Sequence, residues 1–215
     1  MKSSINKAAH NSIKVFASRL GVVLLCSVLV QACDRTPEAP KVVFQATDIT
    51  GSGIGGDFQL TDHNGQPRRL SDFKGKVMVM FFGYTHCPDV CPTTLVEVKN
   101  ALKKLGPDAK DVQVLFVTVD PERDTPDVLK QYVPAFDPSF IGLYAQPNKL
   151  AEVTRAFKIV AQKAPTEGGG YTMDHSAGTY LFDRQGHIRV FVNYGAGATI
   201  LENDLRQLLK MNVAG

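Results

Sequence analysis

Residues 77–92 read VMVMFFGYTHCPDVCP and contain the main evidence about the fold. The first six of them are all apolar, which is typical of a strand covered on both faces of a sheet. Apolar residues then recur at helical spacing, at Leu95, Val98, Leu102 and Leu105. A buried strand followed by a helix, with two cysteines in the connection, predicts a ligand site at one end of an open α/β sheet.

The chain on either side of residues 77–92 continues this mixture of strands and helices. Upstream, two short strand segments flank Asp62-His63-Asn64-Gly65, which is a hairpin signal. Further strands are predicted over 112–119, 179–182 and 188–192, and helices over 126–133, 150–157 and 200–211. The order β-β-β-α-β-α-α-β-β-α predicts a thioredoxin-like α/β sandwich, with an N-terminal β-hairpin and a central mixed sheet flanked by helices.

The first 32 residues have the pattern of an export signal. Four basic residues and no acidic one precede or border an apolar core over 20–30, which is too short to span a bilayer. The core ends in Val30-Gln31-Ala32-Cys33, which is similar to a lipobox and predicts cleavage before Cys33 and lipid on its sulfur. An uncleaved anchor, or ordinary cleavage after Ala32, remains open. All three alternatives place the folded part outside the cytoplasm, and we expect the periplasmic side of a bacterial inner membrane.

Composition divides the remaining chain into a tether and one domain. Residues 33–56 are rich in Pro, Gly, Thr and Ser and predict a flexible tether, so the folded domain is expected over 57–215. The whole chain has 24 basic and 21 acidic residues, but four of the basic ones lie in the predicted signal peptide. The remainder has a net charge of −1 and no basic run, which gives no reason to expect nucleic-acid binding.

Cysteine usage restricts the chemistry of the domain. Only Cys87 and Cys91 lie beyond residue 33. They are predicted at the start of a helix, where backbone amides favour the thiolate that ligates metals and attacks disulfides. A disulfide closing so short a loop would add only about 2 kcal/mol of stability, so a purely structural bond is disfavoured. The spacing of Cys-x3-Cys can instead place two sulfurs on one face, open to a third ligand from elsewhere.

Four segments make this chain resemble the Sco/SenC family, the copper proteins of respiratory-oxidase assembly. They are GGDFQLTDHNG (55–65), FFGYTHCPDVCP (81–92), VTVDPERDTP (117–126) and YTMDHSAGTYLFD (171–183). The resemblance implies that Cys87, Cys91 and His175 hold one copper ion per chain, and that Cys87 and Cys91 form a redox-active disulfide. Two soft thiolates and an imidazole suit Cu(I) and can also hold Cu(II), although zinc would accept the same ligands.

Residues close to these ligands receive less definite predictions. Asp174 is interpreted either as a partner that orients a ligand or as an ordinary turn residue. His86 is interpreted as part of the surroundings of the site, because adjacent side chains rarely reach one ion together. Residues 163–170 (KAPTEGGG) predict a mobile loop ahead of His175, on which a ligand could close over the metal and later release it.

Two other features are given structural interpretations. Residues 120–126 follow a predicted buried strand beside the site, and they predict a turn in which Thr125 caps a helix that begins at Pro126. His63, in the predicted hairpin turn, has no partner that the sequence identifies.

The resemblance also implies a function and its partners. The main hypothesis is a metallochaperone that receives copper from a periplasmic donor and delivers it to the binuclear copper site of cytochrome c oxidase subunit II. The alternative is an enzyme, a thiol-disulfide reductase that keeps the cysteines of that site reduced and is itself restored by a thiol reductant. A thiol peroxidase is the least favoured, because Cys-x3-Cys with a histidine resembles a metal site more than a peroxide pocket.

Overall fold

The computed structural model describes residues 42–211, which contain ten strands and four α-helices. The strands are β1 (Thr47–Asp48), β2 (Gln59–Asp62), β3 (Pro67–Arg69), β4 (Val77–Gly83), β5 (Val112–Thr118), β6 (Ile141–Tyr144), β7 (Ala161–Pro165), β8 (Tyr171–His175), β9 (Gly178–Phe182) and β10 (Ile188–Asn193). The helices are α1 (Val90–Leu105), α2 (Pro126–Tyr132), α3 (Pro147–Ala156) and α4 (Ala198–Lys210). The predicted signal peptide and Cys33 lie outside the described residues.

Eight of these strands form one mixed sheet in the order β1-β10-β9-β4-β5-β6-β2-β3. At its centre β4 and β5 pair in parallel, from Val77↔Val112 to Gly83↔Thr118, and every residue of both strands is buried. On the other side of β4, strand β9 runs antiparallel. The apolar run at 77–82 therefore lies at the centre of the sheet, and the predicted thioredoxin-like α/β class is confirmed.

Helix α1 directly follows the cysteine loop and packs against α4. Its buried side chains include the four that the helical spacing predicted, Leu95, Val98, Leu102 and Leu105. The helix ends at Gly106, whose φ of 64° is a conformation that suits glycine and whose N–H caps the carbonyls of Leu102 and Lys103. Within residues 42–211, no helix is both long enough and apolar enough to cross a membrane.

The predicted N-terminal hairpin is formed by β2 and β3. The carboxylate of Asp62 closes its turn by accepting the backbone N–H groups of Asn64 and Gln66, each at 2.9 Å. His63, for which the sequence suggested no partner, is buried and accepts the backbone N–H of Gly142 on its Nδ1 at 3.0 Å. The hairpin turn is thus joined to β6 by a side chain as well as by the sheet.

The flexible tether predicted over 33–56 does not extend through the described part of that range. Thr47 and Asp48 form β1, which pairs with β10 and is itself the edge strand of the sheet. Asp204 of α4, which is buried, accepts the backbone N–H groups of Gln45 at 2.7 Å and Ala46 at 2.9 Å. These residues belong to the fold because their backbone groups form hydrogen bonds with β10 and with Asp204. A polar, glycine-rich composition does not indicate such backbone hydrogen bonds.

Like β1, strands β6, β7 and β8 are not predicted by the sequence. Strands β7 and β8 form a separate two-stranded sheet, in register from Ala161↔His175 to Pro165↔Tyr171. The mobile loop predicted over 163–170 is therefore wrong in part, because residues 163–165 belong to β7 and only a turn over 166–170 remains. Three of the five β7 residues are polar, charged or proline and the other two are alanine, so the strand lacks the alternation by which strands are recognised.

Candidate metal centre

Cys87 and Cys91 lie where β4 ends and α1 begins. Strand β4 ends at Gly83, and Cys91 is the second residue of α1. The side chain of Cys91 is fully buried, whereas that of Cys87 is partly exposed, and both are free thiols. The backbone N–H of Cys91 donates to Cys87 Sγ at 3.4 Å. The two sulfurs therefore lie together at the N-terminus of a helix, as the spacing predicted.

Gly83 is the residue that allows Cys91 to approach the end of β4. A Cβ at this position would lie 3.0 Å from Cys91 Sγ and 2.6 Å from the ring of Phe81. Separations this short leave no room for a side chain. The glycine at the end of the apolar run is thus required by the position of the buried thiol.

His175, the last residue of β8, faces Cys91 from the other side. Its Nε2 lies 3.6 Å from Cys91 Sγ, and its Nδ1 donates to the carbonyl of Ser176 at 2.9 Å. Because Nδ1 carries the proton, Nε2 has a free lone pair directed toward the sulfur. The ring is held edge-on against Tyr84, with 5.6 Å between ring centres. The fold thus places an imidazole nitrogen with a free lone pair beside a buried thiol.

Burial and local hydrogen bonds give the three groups different acidities. Burial raises the pKa of the Cys91 thiol far above its ordinary value, and the neighbouring Cys87 adds to this. Burial also works to raise the pKa of Cys87, but the N–H groups of Cys91 and Asp89 outweigh it and the pKa of this thiol is lowered. Burial lowers the pKa of His175 below 6.5, so its imidazole is neutral at neutral pH. Cys87 is the thiol that ionises first.

These donors fit a soft metal ion. A sulfur and a nitrogen bound to one tetrahedral ion lie about 3.5 Å apart, for bonds of about 2.3 and 2.0 Å. Cys91 Sγ and His175 Nε2, at 3.6 Å, already have this separation. Within residues 42–211, however, no three potential ligands yet surround one point, and Cys87 Sγ accepts the N–H of Cys91. Two of the predicted ligands are therefore preset, and the Cys87 thiol lies beside Cys91.

The positions of Asp174 and His86 differ from those of the ligands. Asp174 is exposed and lies on the opposite face of β8 from His175, because successive side chains of a strand alternate. The carbonyl of Ser176, not Asp174, accepts the Nδ1 proton of His175, so the interpretation of Asp174 as an orienting partner does not fit this geometry. His86 is half-exposed and its Nδ1 lies 3.1 Å from Thr85 Oγ1.

The segment 120–126 forms the predicted cap. Pro126 is the first residue of α2, and the Oγ1 of Thr125 accepts the N–H of Val128 at 3.4 Å. The cap accounts for Thr125 and Pro126 but not for the charged residues that precede them.

Asp124 in this segment supports the cysteine loop. It is 1% exposed and accepts the Oγ1–H of Thr85 at 2.6 Å and that of Thr118 at 2.6 Å. It also accepts the backbone N–H of Thr85 at 3.0 Å. Asp124 therefore joins the end of β5 to the loop that carries Cys87. The sequence reasoning missed this, although charged residues directly after a buried strand at the carboxyl edge of a sheet are the signal that could have indicated it.

Known proteins similar to this chain share both its sequence and its fold. The sequence model of the family SCO1/SenC matches residues 46–210. An SCO2-like protein of Rickettsia prowazekii is 35% identical over 188 residues, which are 86% of this chain and 88% of that protein. The likeness therefore extends over nearly the whole of both proteins.

Two solved structures extend the likeness to three dimensions. The structure of Bradyrhizobium japonicum ScoI with copper bound is 46% identical, has a TM-score of 0.67 and covers 72% of this chain and 99% of that chain. The solution structure of apo Sco1 from Thermus thermophilus is 39% identical, has a TM-score of 0.69 and covers 79% of this chain and 99% of that chain. In both, the similarity takes in almost the entire solved domain.

Proposed function

This chain belongs to the SCO1/SenC family, and from that premise we propose that it carries copper on Cys87, Cys91 and His175 for the assembly of cytochrome c oxidase. The Sco family is one of cytochrome c oxidase assembly proteins, and copper is bound in ScoI from Bradyrhizobium japonicum. In its finer form the proposal is one ion per chain, received from a periplasmic donor and delivered to the binuclear copper site of subunit II.

The observation that carries this proposal is the approach of Cys91 and His175. They are 84 positions apart in the sequence, yet Sγ and Nε2 are 3.6 Å apart, with the second thiol alongside. Two thiolates and an imidazole suit Cu(I), and the same groups accept Cu(II) in a more tetragonal arrangement. The partial exposure of Cys87 leaves one side of the site open, which a carrier needs if its cargo is to reach a partner.

Loading such a site requires protons to leave. Cys87, whose pKa is lowered, is the first thiolate available to an incoming ion. Cys91 directs its S–H toward the lone pair of His175 Nε2, and the metal replaces that proton. Copper uptake should therefore release protons and become tighter as the pH rises.

A second function, reduction of a disulfide in the recipient, is favoured by the asymmetry of the two thiols. The Cys87 thiolate would attack the recipient's disulfide and form a mixed disulfide, which releases one thiol of the recipient. Cys91 would then attack Cys87 Sγ, which releases the second recipient thiol and leaves a Cys87–Cys91 disulfide in this protein. A thiol reductant would have to return it to the dithiol state.

The substitution His175→Ala separates the two functions, because thiol exchange does not require the imidazole. We expect the variant to keep a reducible Cys87–Cys91 pair but to lose copper retention, since its third ligand has to come from solvent. Cu(I) affinity from chelator competition and the thiolate charge-transfer absorption with Cu(II) measure binding. Oxidase activity in cells at limiting copper measures delivery.

Two further variants complete this experiment. The double variant Cys87→Ser, Cys91→Ser should lose both copper and the charge-transfer band. His187→Ala removes a histidine that is 70% exposed and should leave copper binding unchanged. Full oxidase activity from His175→Ala at limiting copper, with normal protein abundance, would contradict the carrier function and assign the protein to thiol reduction.

We also propose that lipid on Cys33 holds the protein at the periplasmic face of the inner membrane. The support is the sequence alone, in which a basic segment, an apolar core and Ala32 precede Cys33. Stable anchoring generally needs at least two acyl chains, which bacterial lipoproteins carry. Mass spectrometry of the mature protein should find a lipid-modified Cys33 at the N-terminus, and an unmodified terminus or an intact leader would rule the anchor out.

A further inference from the structure

His175 is carried by a hairpin that the main sheet does not hold. Among the described strands, β7 and β8 pair only with each other. A cavity of about 270 Å³ lies between this hairpin and α3, lined by residues that include Leu150, Thr154, Ala161 and Met173. Among the described strands, none of the main sheet pairs with the hairpin, and the cavity interrupts its packing near Ala161 and Met173, so side-chain contacts at the Tyr171 end have to hold it.

Arg123, in the loop between β5 and α2, makes the central contacts. Its Nη1 donates to the carbonyl of Tyr171 at 2.8 Å, and its guanidinium lies 3.8 Å from the centre of the Tyr171 ring. Its Nε pairs with Asp120, which is 1% exposed and also accepts the Tyr171 hydroxyl at 2.8 Å. Arg123, Asp120 and Tyr171 thus form a closed set of contacts, here called the Arg123 clamp.

The clamp is continuous with the surroundings of His175. Tyr171 and His175 are the two ends of β8, about 13 Å apart at roughly 3.3 Å per residue. Between them, Thr172 Oγ1 lies 2.7 Å from the hydroxyl of Tyr84, and the Tyr84 ring contacts the imidazole of His175. Arg123 itself lies 5.8 Å from the centre of the Tyr84 ring. A shift of β8 at the clamp would therefore be transmitted to the imidazole.

An exposed ion pair also joins the same loop to the hairpin, between Glu122 and Lys163. Its side chains are 62% and 45% exposed, and ion pairs that are this exposed to solvent contribute little to stability. Because the Asp120 carboxylate is buried, the Arg123 clamp should hold the hairpin more strongly than the exposed Glu122–Lys163 pair does.

We propose that Arg123, oriented by Asp120, is a positioning residue that holds β8 through Tyr171 and so keeps His175 Nε2 beside Cys91. This inference rests on the proposed copper site. It assigns a role to the charged residues of the segment 120–126 that the helix cap leaves unexplained. Asp124 holds the cysteine side of the site, and the Arg123 clamp holds the histidine side.

The substitution Arg123→Met tests the clamp, because it keeps much of the side-chain length and removes the charge and all the donors. We expect the copper affinity to fall about 10- to 100-fold, as is typical when the partner of a ligating residue is lost. In the metal-free protein, the backbone amides of residues 171–175 should exchange with deuterium faster than in the wild type, whereas those of β4 should not change.

A double-variant cycle separates a loss of His175 positioning from a general destabilisation of the fold. In a chain that already contains His175→Ala, Arg123→Met should cause little further loss of copper affinity, because the clamp acts through the imidazole. Glu122→Gln, which removes the exposed ion pair from the neighbouring position, is the matched control and should bind copper like the wild type. Tyr171→Phe removes only the hydroxyl bond to Asp120 and should give a smaller loss, so it provides the test if Arg123→Met does not fold.

Two results would overturn the inference. One is wild-type copper affinity in both Arg123→Met and Tyr171→Phe. The other is a loss from Arg123→Met that is equally large with and without His175. A wild-type protein that binds no copper would instead overturn the proposed function, and the amide exchange of residues 171–175 would then still decide whether the clamp holds the hairpin.

Discussion

Asp62 is a single carboxylate on which the turn of the β2–β3 hairpin depends. It is 1% exposed, and besides the N–H groups of Asn64 and Gln66 it accepts the Nε–H of Arg68 at 2.8 Å. Burial by itself works to raise its pKa, but the hydrogen bonds from Gln66, Arg68 and Asn64 stabilise the charged form and lower the pKa below the ordinary value of 3.8. The hairpin is therefore stabilised by the ionised form of Asp62.

Asp62→Asn should lower the free energy of unfolding by about 1–3 kcal/mol at pH 7, because the bonds to a charged acceptor are lost. A carboxylate whose folded pKa is lowered stabilises the fold above its unfolded pKa, and the effect disappears as the pH falls through the folded pKa. The wild type and the variant should therefore converge below pH 3.8. Urea unfolding at several pH values measures this, with the exposed Asp48→Asn as control. An equal difference at pH 7 and at low pH would contradict the role of the charge.

The ligands of the proposed site could be named from the sequence, but their supports could not. Cys87, Cys91 and His175 lie in short sequence motifs that can be recognised without any knowledge of the fold. Asp120 and Asp124 gain their roles only from contacts with β8 and with the cysteine loop, which are distant in sequence. A charged residue after a strand predicts a turn equally well, so the sequence alone favoured the simpler interpretation.

At the scale of secondary-structure elements, whether a strand or helix could be predicted from the sequence depended on how deeply it is buried. Strands β4 and β5 and helix α1 were predicted because they are covered by the core and their apolar pattern shows it. Strands β7 and β1 have mostly exposed residues, and their pairing is a matter of backbone hydrogen bonds. Such strands leave no periodic pattern of apolar residues, so residues 163–170 of the hairpin that carries His175 are predicted to be a loop.

At the scale of the whole molecule, the beginning of the described chain is bound to its C-terminal helix. Asp204, fully buried in α4, accepts the N–H groups of Gln45 and Ala46. The sequence placed the domain boundary at residue 57, some ten residues too late. The family resemblance, by contrast, is confirmed. The hypotheses of copper binding and of an oxidase partner came from that resemblance, because composition alone indicates only a near-neutral α/β domain.

Asp204→Ala should therefore have different effects on stability in two lengths of this chain. In the full chain it should lower the free energy of unfolding by about 2–4 kcal/mol, because two backbone N–H groups lose a charged acceptor. In a chain shortened to begin at Asp57, the carboxylate has already lost both donors, so the substitution should be neutral or stabilising. Denaturant unfolding of the four proteins measures this. An equal loss in both lengths would show that Asp204 does not act through residues 45 and 46.

The division of the proposed ligands between a rigid sheet edge and a separate hairpin has a kinetic consequence. In the proposed site Cys87 and Cys91, which lie between β4 and α1, would determine how tightly an ion is held, whereas an opening of β7 and β8 would determine how often one coordination position becomes vacant. Hairpin motions of this kind occur in microseconds to milliseconds. An incoming thiol from a recipient could then bind at the vacated position before the sulfur of either Cys87 or Cys91 dissociates from the ion. Transfer would proceed by ligand substitution, and no free ion would be released into solution.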